Sequence, residues 1–185
     1  EGLSIWNEEK YRELQGQYPV IFISFATIKA DNYVDARDGI ISTVYRAYQE
    51  YHSILEDDMF FIELKNYIST ITPDRKMTNE ALFSLRKALF GALNYLSECL
   101  FNYYGKKTII LMDEYDTPMQ EAYIHGYWKE FTVFMRSMFN ATFKTNSYME
   151  RAIMTGITRV SKESMFSDLN NLNVVTLTSD EYASA

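Results

Sequence analysis

The stretch Thr108-Ile109-Ile110-Leu111-Met112-Asp113-Glu114-Tyr115-Asp116 constrains the fold of this chain more than any other. Four strongly apolar residues follow Thr108 and run without a polar break into three carboxylates within four positions. An uninterrupted apolar run of this length suits a strand covered on both faces, as in the parallel sheet of an α/β domain. In such sheets ligands bind just outside the carboxyl ends of the strands, and there Asp113, Glu114 and Asp116 are expected. Two readings stay open at this point. The carboxylates form a reactive site, or the strand leaves the core into a solvated acidic turn that caps the next helix.

The flanking sequence fits the first strand into a larger plan. Val20-Ile21-Phe22-Ile23-Ser24-Phe25 reads as a second buried strand. From Asp35 to about Leu55, apolar residues recur at three- and four-residue steps, which predicts an amphipathic helix; residues 59–71 read as a shorter one. Leu82, Leu85, Leu89, Leu93, Leu96, Leu100 and Tyr103 form a long helical stripe, and Gly105 is placed to end it. Thr117-Pro118 reads as a helix start, and Trp128 to about Lys144 as a strong helix. Residues 151–160 and 173–178 read as a third and a fourth strand, with a short capped helix from Ser161 to Leu169 between them. Ile5 to Tyr18 is expected to be helical, with Trp6, Tyr11 and Leu14 turned inward. Strands alternating with helices predict right-handed parallel crossovers. The fold class is therefore α/β: a three-layer α/β/α sandwich with a mainly parallel sheet of at least four strands.

Composition narrows the function classes. A length of 185 residues allows one domain with a real core, and 47% hydrophobic content argues against disorder. A formal charge of −7 argues against direct nucleic-acid binding by this segment. The lone cysteine, Cys99, excludes an internal disulfide framework, makes the cytoplasm the expected compartment, and lies in a helical stripe as a small buried hydrophobe. No apolar run approaches the roughly 20 residues needed to span a bilayer, so no membrane partner is expected. His52 and His125 are far apart and adjoin no nucleophile, so both read as surface or packing residues.

An apolar strand that ends in Asp-Glu has the Walker B pattern of P-loop NTPases, in which the Asp binds magnesium and the Glu orients the attacking water. Asp113 suits the first role and Glu114 the second; Asp116 either adds a direct or indirect contact to the site or is a helix-capping or solvated acid. One strand over, Thr158 and Arg159 could meet a terminal phosphate by hydrogen bond and charge, or be ordinary strand-end residues with Arg159 paired to an acid. The phosphate cradle itself is missing, since no Gly-x-x-x-x-Gly-Lys-Ser/Thr occurs. A three-carboxylate nuclease site from Asp113, Glu114 and Asp116 lacks a companion acid and lysine on a neighbouring strand.

Several segments together resemble a known family. They are Gly2-Leu3-Ser4-Ile5, Tyr18 to Phe25, Ile110-Leu111-Met112-Asp113-Glu114-Tyr115-Asp116-Thr117-Pro118, Thr155-Gly156-Ile157-Thr158-Arg159-Val160-Ser161-Lys162, and Ser164 to Leu172. In this combination the chain resembles the predicted AAA-ATPase-like family of P-loop proteins. The resemblance implies a P-loop core of the additional-strand type, with the Walker B strand central and beside the P-loop strand. It implies that the Walker A strand and loop lie upstream of Glu1, so that residues 1–185 form a single partial domain, also cut at its C-terminal end. Carried over by position, Asp113 is the metal ligand, Glu114 and Arg159 are catalytic, and Thr158 contacts the nucleotide. ATP and Mg²⁺ are the implied ligands, and an attached effector, such as a C-terminal nuclease-like domain, the implied partner. The 185 residues alone are expected to bind nucleotide poorly and to self-associate through exposed strand edges. The alternative is a non-catalytic interaction scaffold that keeps the fold.

Overall fold

The structure is a computed structural model and describes residues 4–70, 88–157, 169 and 172–176. Three strands make its frame: β1 (Val20–Ser24), β2 (Thr108–Asp113) and β3 (Met149–Met154). They form one sheet in the order β1-β2-β3, parallel throughout. Parallel neighbours require long crossovers, and helices supply them. A short α1 (Glu9–Arg12) precedes β1; α2 (Tyr33–Gln49), α3 (His52–Leu55), α4 (Met59–Thr70) and α5 (Ala92–Tyr104) lie between β1 and β2. The second crossover carries α6 (Thr117–Ile124), α7 (Trp128–Phe139) and a π-helical turn over Asn140–Lys144. The chain is thus α/β, a parallel sheet with flanking helices, consistent with an incomplete P-loop-like core.

Local chemistry explains the two long crossover helices. Asn32 opens α2 by accepting the Asp35 N–H at 3.0 Å through its side chain. The helix then buries Ile40, Ile41, Val44 and Tyr48 along one stripe. Gly105 ends α5 at φ 65°, a left-handed conformation that glycine adopts without a Cβ clash, and its N–H donates to the Phe101 carbonyl at 2.8 Å. The Tyr48 hydroxyl donates to the Ala92 carbonyl at 2.6 Å, tying α2 to the first turn of α5 inside the core. Leu93, Leu96 and Leu100 of α5 are fully buried, each contributing roughly 1.5–3 kcal/mol relative to exposure.

Burial across the sheet is uneven. Ile21 and Ile23 of β1, with Ile110 and Met112 of β2, join the helices in one core. Side chains alternate along a strand, so the opposite face carries Val20, Phe22, Ile109, Leu111 and Ile153. Phe22 is 60% exposed and Ile153 53%, and Leu111, which sits between them in register, is half-buried.

Several expectations need correction. β2 is hydrogen-bonded along both edges, to β1 and to β3, so the expected place of a P-loop strand directly beside β2 is taken, and the described sheet has no central gap. A further strand can add only at an outer edge of the described sheet. β3 begins two residues earlier than the apolar run suggests and ends at Met154, ahead of Gly156. Residues 172–176 carry no strand, so the described sheet has three strands rather than four. The N-terminal segment forms a 3-10 turn (Ser4–Asn7) and α1, with Trp6, Tyr11 and Leu14 exposed rather than inward. The expected helix start at Leu82 lies outside the described residues, as does all but Leu169 of the helix expected from Ser161 to Leu169.

Candidate functional site

All three strands run in one direction, so their carboxyl ends share one edge of the sheet. Asp113, the last residue of β2, pairs in register with Ser24, and its carbonyl accepts the Phe25 N–H at 3.0 Å. On the other side, the Thr155 N–H donates to the Met112 carbonyl at 2.9 Å and keeps the exit of β3 alongside β2. The Thr155 hydroxyl donates to the Asp113 carboxylate. By strand alternation, Asp113 and Ser24 belong to the same open face as Phe22 and Leu111.

The turn that follows is tightly held. The Tyr115 N–H donates to the Thr155 carbonyl at 3.1 Å, tying the acidic turn to β3. Glu114 has φ 50°, in the left-handed region, which costs a residue with a Cβ roughly 1–2 kcal/mol. Thr117 offsets part of that cost. Its N–H donates to the Glu114 carbonyl at 3.2 Å, and its hydroxyl to Glu114 Oε2 at 3.0 Å. Asp116, at 1% exposure, is neither solvated nor a side-chain cap of α6; its carboxylate accepts from Gln120 Nε2 at 3.0 Å. Gly156 passes so close that a Cβ there would lie 2.6 Å from Asp116 Oδ1 and 2.9 Å from the Tyr115 ring.

The structure therefore brings Asp113 and Glu114 together, both half-buried, at the carboxyl end of the central strand. Thr158 and Arg159 lie outside the described residues. Thr155 is the site residue that sequence reading missed. A strand drawn through to Val160 hides it, whereas a strand ended before Gly156 sets its hydroxyl opposite Asp113. Thr117, expected at the N-cap, is instead the first residue of α6, with Asp116 in the cap position. His52 and His125 are exposed, as expected; His125 Nε2 lies 3.4 Å from Glu121 Oε2. Cys99 is half-buried against the core, and burial pushes its thiol pKa up.

A cleft of about 480 Å³ opens between the loop after β1, α2 and α6, with Lys29, Asp31, Arg46, Glu121 and His125 among its lining. Neither Asp113 nor Glu114 is among its lining residues. Among the described residues no three His, Cys, Asp or Glu side chains converge as a metal-holding group. No helix among the described residues is long and apolar enough to cross a membrane.

A parallel sheet whose central strand delivers two neighbouring carboxylates to its carboxyl end defines an α/β protein with a P-loop-like core. The chain belongs to the family described as Predicted AAA-ATPase, which matches residues 1–166. It is also similar to a protein of Azotobacter chroococcum mcd 1, described as an uncharacterized protein in the vnfD 5' region, at 28% identity over 76 residues. That similarity covers 40% of this chain and 15% of the Azotobacter protein, so the chain spans only a small part of that relative's length. No solved structure matches the chain.

Proposed function

We propose that the natural protein carrying this sequence binds and hydrolyses ATP, and that Asp113 and Glu114 are the Walker B pair of its site. One observation carries the reading: the two carboxylates stand at the carboxyl end of the central parallel strand, with the hydroxyl of Thr155, just past the end of the neighbouring strand, turned to Asp113. The donor chemistry fits magnesium. Asp113, at the end of β2, and Thr155, just past the end of β3, offer hard oxygen atoms side by side, and magnesium is usually held by one or two carboxylates plus phosphate oxygens and water. Magnesium, when bound, neutralises phosphate charge and orients the terminal group. In hydrolysis the water oxygen bonds to the γ-phosphorus while the bond from that phosphorus to the bridging oxygen breaks. The electron pair of the broken bond leaves with ADP, and Glu114 accepts the water proton.

Thr158 is proposed to sense the terminal phosphate and Arg159 to stabilise its developing charge, with the Thr155 hydroxyl a further polar group beside Asp113. Residues 1–185 hold no glycine-rich lysine loop, and the phosphate cradle is proposed to be supplied by another part of the natural protein. Hydrolysis is proposed to drive an attached effector, for which a nuclease-like domain is the leading candidate.

A cleft whose lining does not include Asp113 or Glu114 supports a second reading, a non-catalytic scaffold with this fold. Calorimetric titration of Mg·ATP into the natural protein separates the two. Micromolar binding that weakens at least tenfold in Asp113→Ala supports the enzyme, whereas no heat of binding in the unsubstituted protein supports the scaffold.

A further inference from the structure

We propose that Thr117 is a positioning residue for Glu114, holding its carboxylate ready to take a proton from water. This rests on the hydrolytic reading above. Thr117 is the first residue of α6, one position past the N-cap Asp116, so its hydroxyl is not the group that caps the helix start. Here the hydroxyl turns backwards and donates to Glu114 Oε2 at 3.0 Å. The same residue's N–H donates to the Glu114 carbonyl at 3.2 Å, so Thr117 fixes both the main chain and the side chain of the residue three positions before it.

Three features make this more than a helix-start contact. Glu114 stands in left-handed backbone at φ 50°, so its side chain leaves the strand end in a direction that ordinary extended backbone would not give. A glutamate side chain is among the most mobile, and an unrestrained carboxylate would sample many orientations before meeting a water. One hydroxyl donor on Oε2 removes much of that freedom and leaves Oε1 to accept from water, because a carboxylate offers about four acceptor sites. The clasp is itself rigidly based. Pro118 follows at the second helical position, and both Pro118 and Met119 are buried. General-base efficiency depends on such geometry, and a misplacement of about 1 Å can cost a hundredfold in rate.

The test compares ATP hydrolysis by the natural protein with Thr117→Val, which keeps the shape and removes the donor, and Thr117→Ser, which keeps the donor. Thr117→Val is expected to lower kcat about tenfold or more while KM for Mg·ATP stays within about twofold; Thr117→Ser is expected to retain kcat within about threefold. Wild-type kcat in Thr117→Val overturns the proposal. So does an equal loss in both variants, or a rise in KM alone, each of which marks a structural or binding role. If the unsubstituted protein does not hydrolyse ATP, the hydrolytic reading fails first, and the positioning role falls with it.

Discussion

Glu114 and Gly156 show how much of this site is set by backbone that cannot accept an arbitrary residue. A methyl group at position 156 would meet Asp116 Oδ1 at 2.6 Å, and Asp116 is buried, so it cannot swing aside cheaply. Gly156→Ala is therefore expected to destabilise the fold by about 1–3 kcal/mol in urea unfolding, and an unchanged midpoint would contradict the close packing described here. Tyr67 makes a second residue-scale prediction. Burial, and then the neighbouring Asp38 charge, push its phenol pKa up to about 12. A raised folded pKa means that the neutral phenol is favoured in the fold, and its share of stability is full below pH 10 and is lost as pH rises from 10 towards 12. Stability measured across that window should fall, and Tyr67→Phe should flatten the fall; an identical slope in that variant would contradict the assignment. The placement of Asp113 and Glu114 at the carboxyl end of a buried strand was legible from the apolar run that precedes them. The hydroxyl partners of those acids, Thr155 and Thr117, were not, because a threonine after a strand or at a helix start carries no signal until register fixes what it faces.

The elements were legible where periodicity was strong and its partner face lay within the chain. β1, β2, α2 and α5 follow from apolar runs and three- and four-residue stripes, and Gly105 stops α5 where its sequence position said it should. The N-terminal segment has a similar pattern, yet Trp6, Tyr11 and Leu14 find no face to bury against, and pattern alone cannot reveal that. β3 slipped for another reason. Its partner register contains a bulge opposite Thr108–Ile109, and the strand gives way at Thr155–Gly156 to meet the acidic turn, a tertiary contact invisible in the linear apolar run. The first crossover depends on the α2 cap. Asn32→Ala should cost about 1 kcal/mol by thermal or chemical unfolding, since the Asp35 N–H then loses its side-chain acceptor. No loss at all would mean that water serves the helix start equally well.

For the whole molecule, the uneven sheet is the dominant feature. One face is sealed by helices, and the other presents Phe22 at 60% and Val20 at 39% exposure beside Asp113 and Ser24. An apolar face of this kind favours association, so the isolated 185-residue chain is expected to self-associate at high concentration and Phe22→Lys to reduce it. Light scattering that finds a monodisperse monomer for the unsubstituted chain would contradict this. The α/β class was legible because strand and helix patterns alternate. The strand order was not, because hydrogen-bonding order is a property of the sheet: among the described residues β3 lies beside β2, which is paired along both edges. The most direct measurement is single-turnover ATP hydrolysis by the natural protein carrying Glu114→Gln, with nucleotide binding measured in the same samples. The account predicts binding within about threefold of the unsubstituted protein and a hydrolysis rate reduced at least a hundredfold. Hydrolysis at the unsubstituted rate in Glu114→Gln would contradict it.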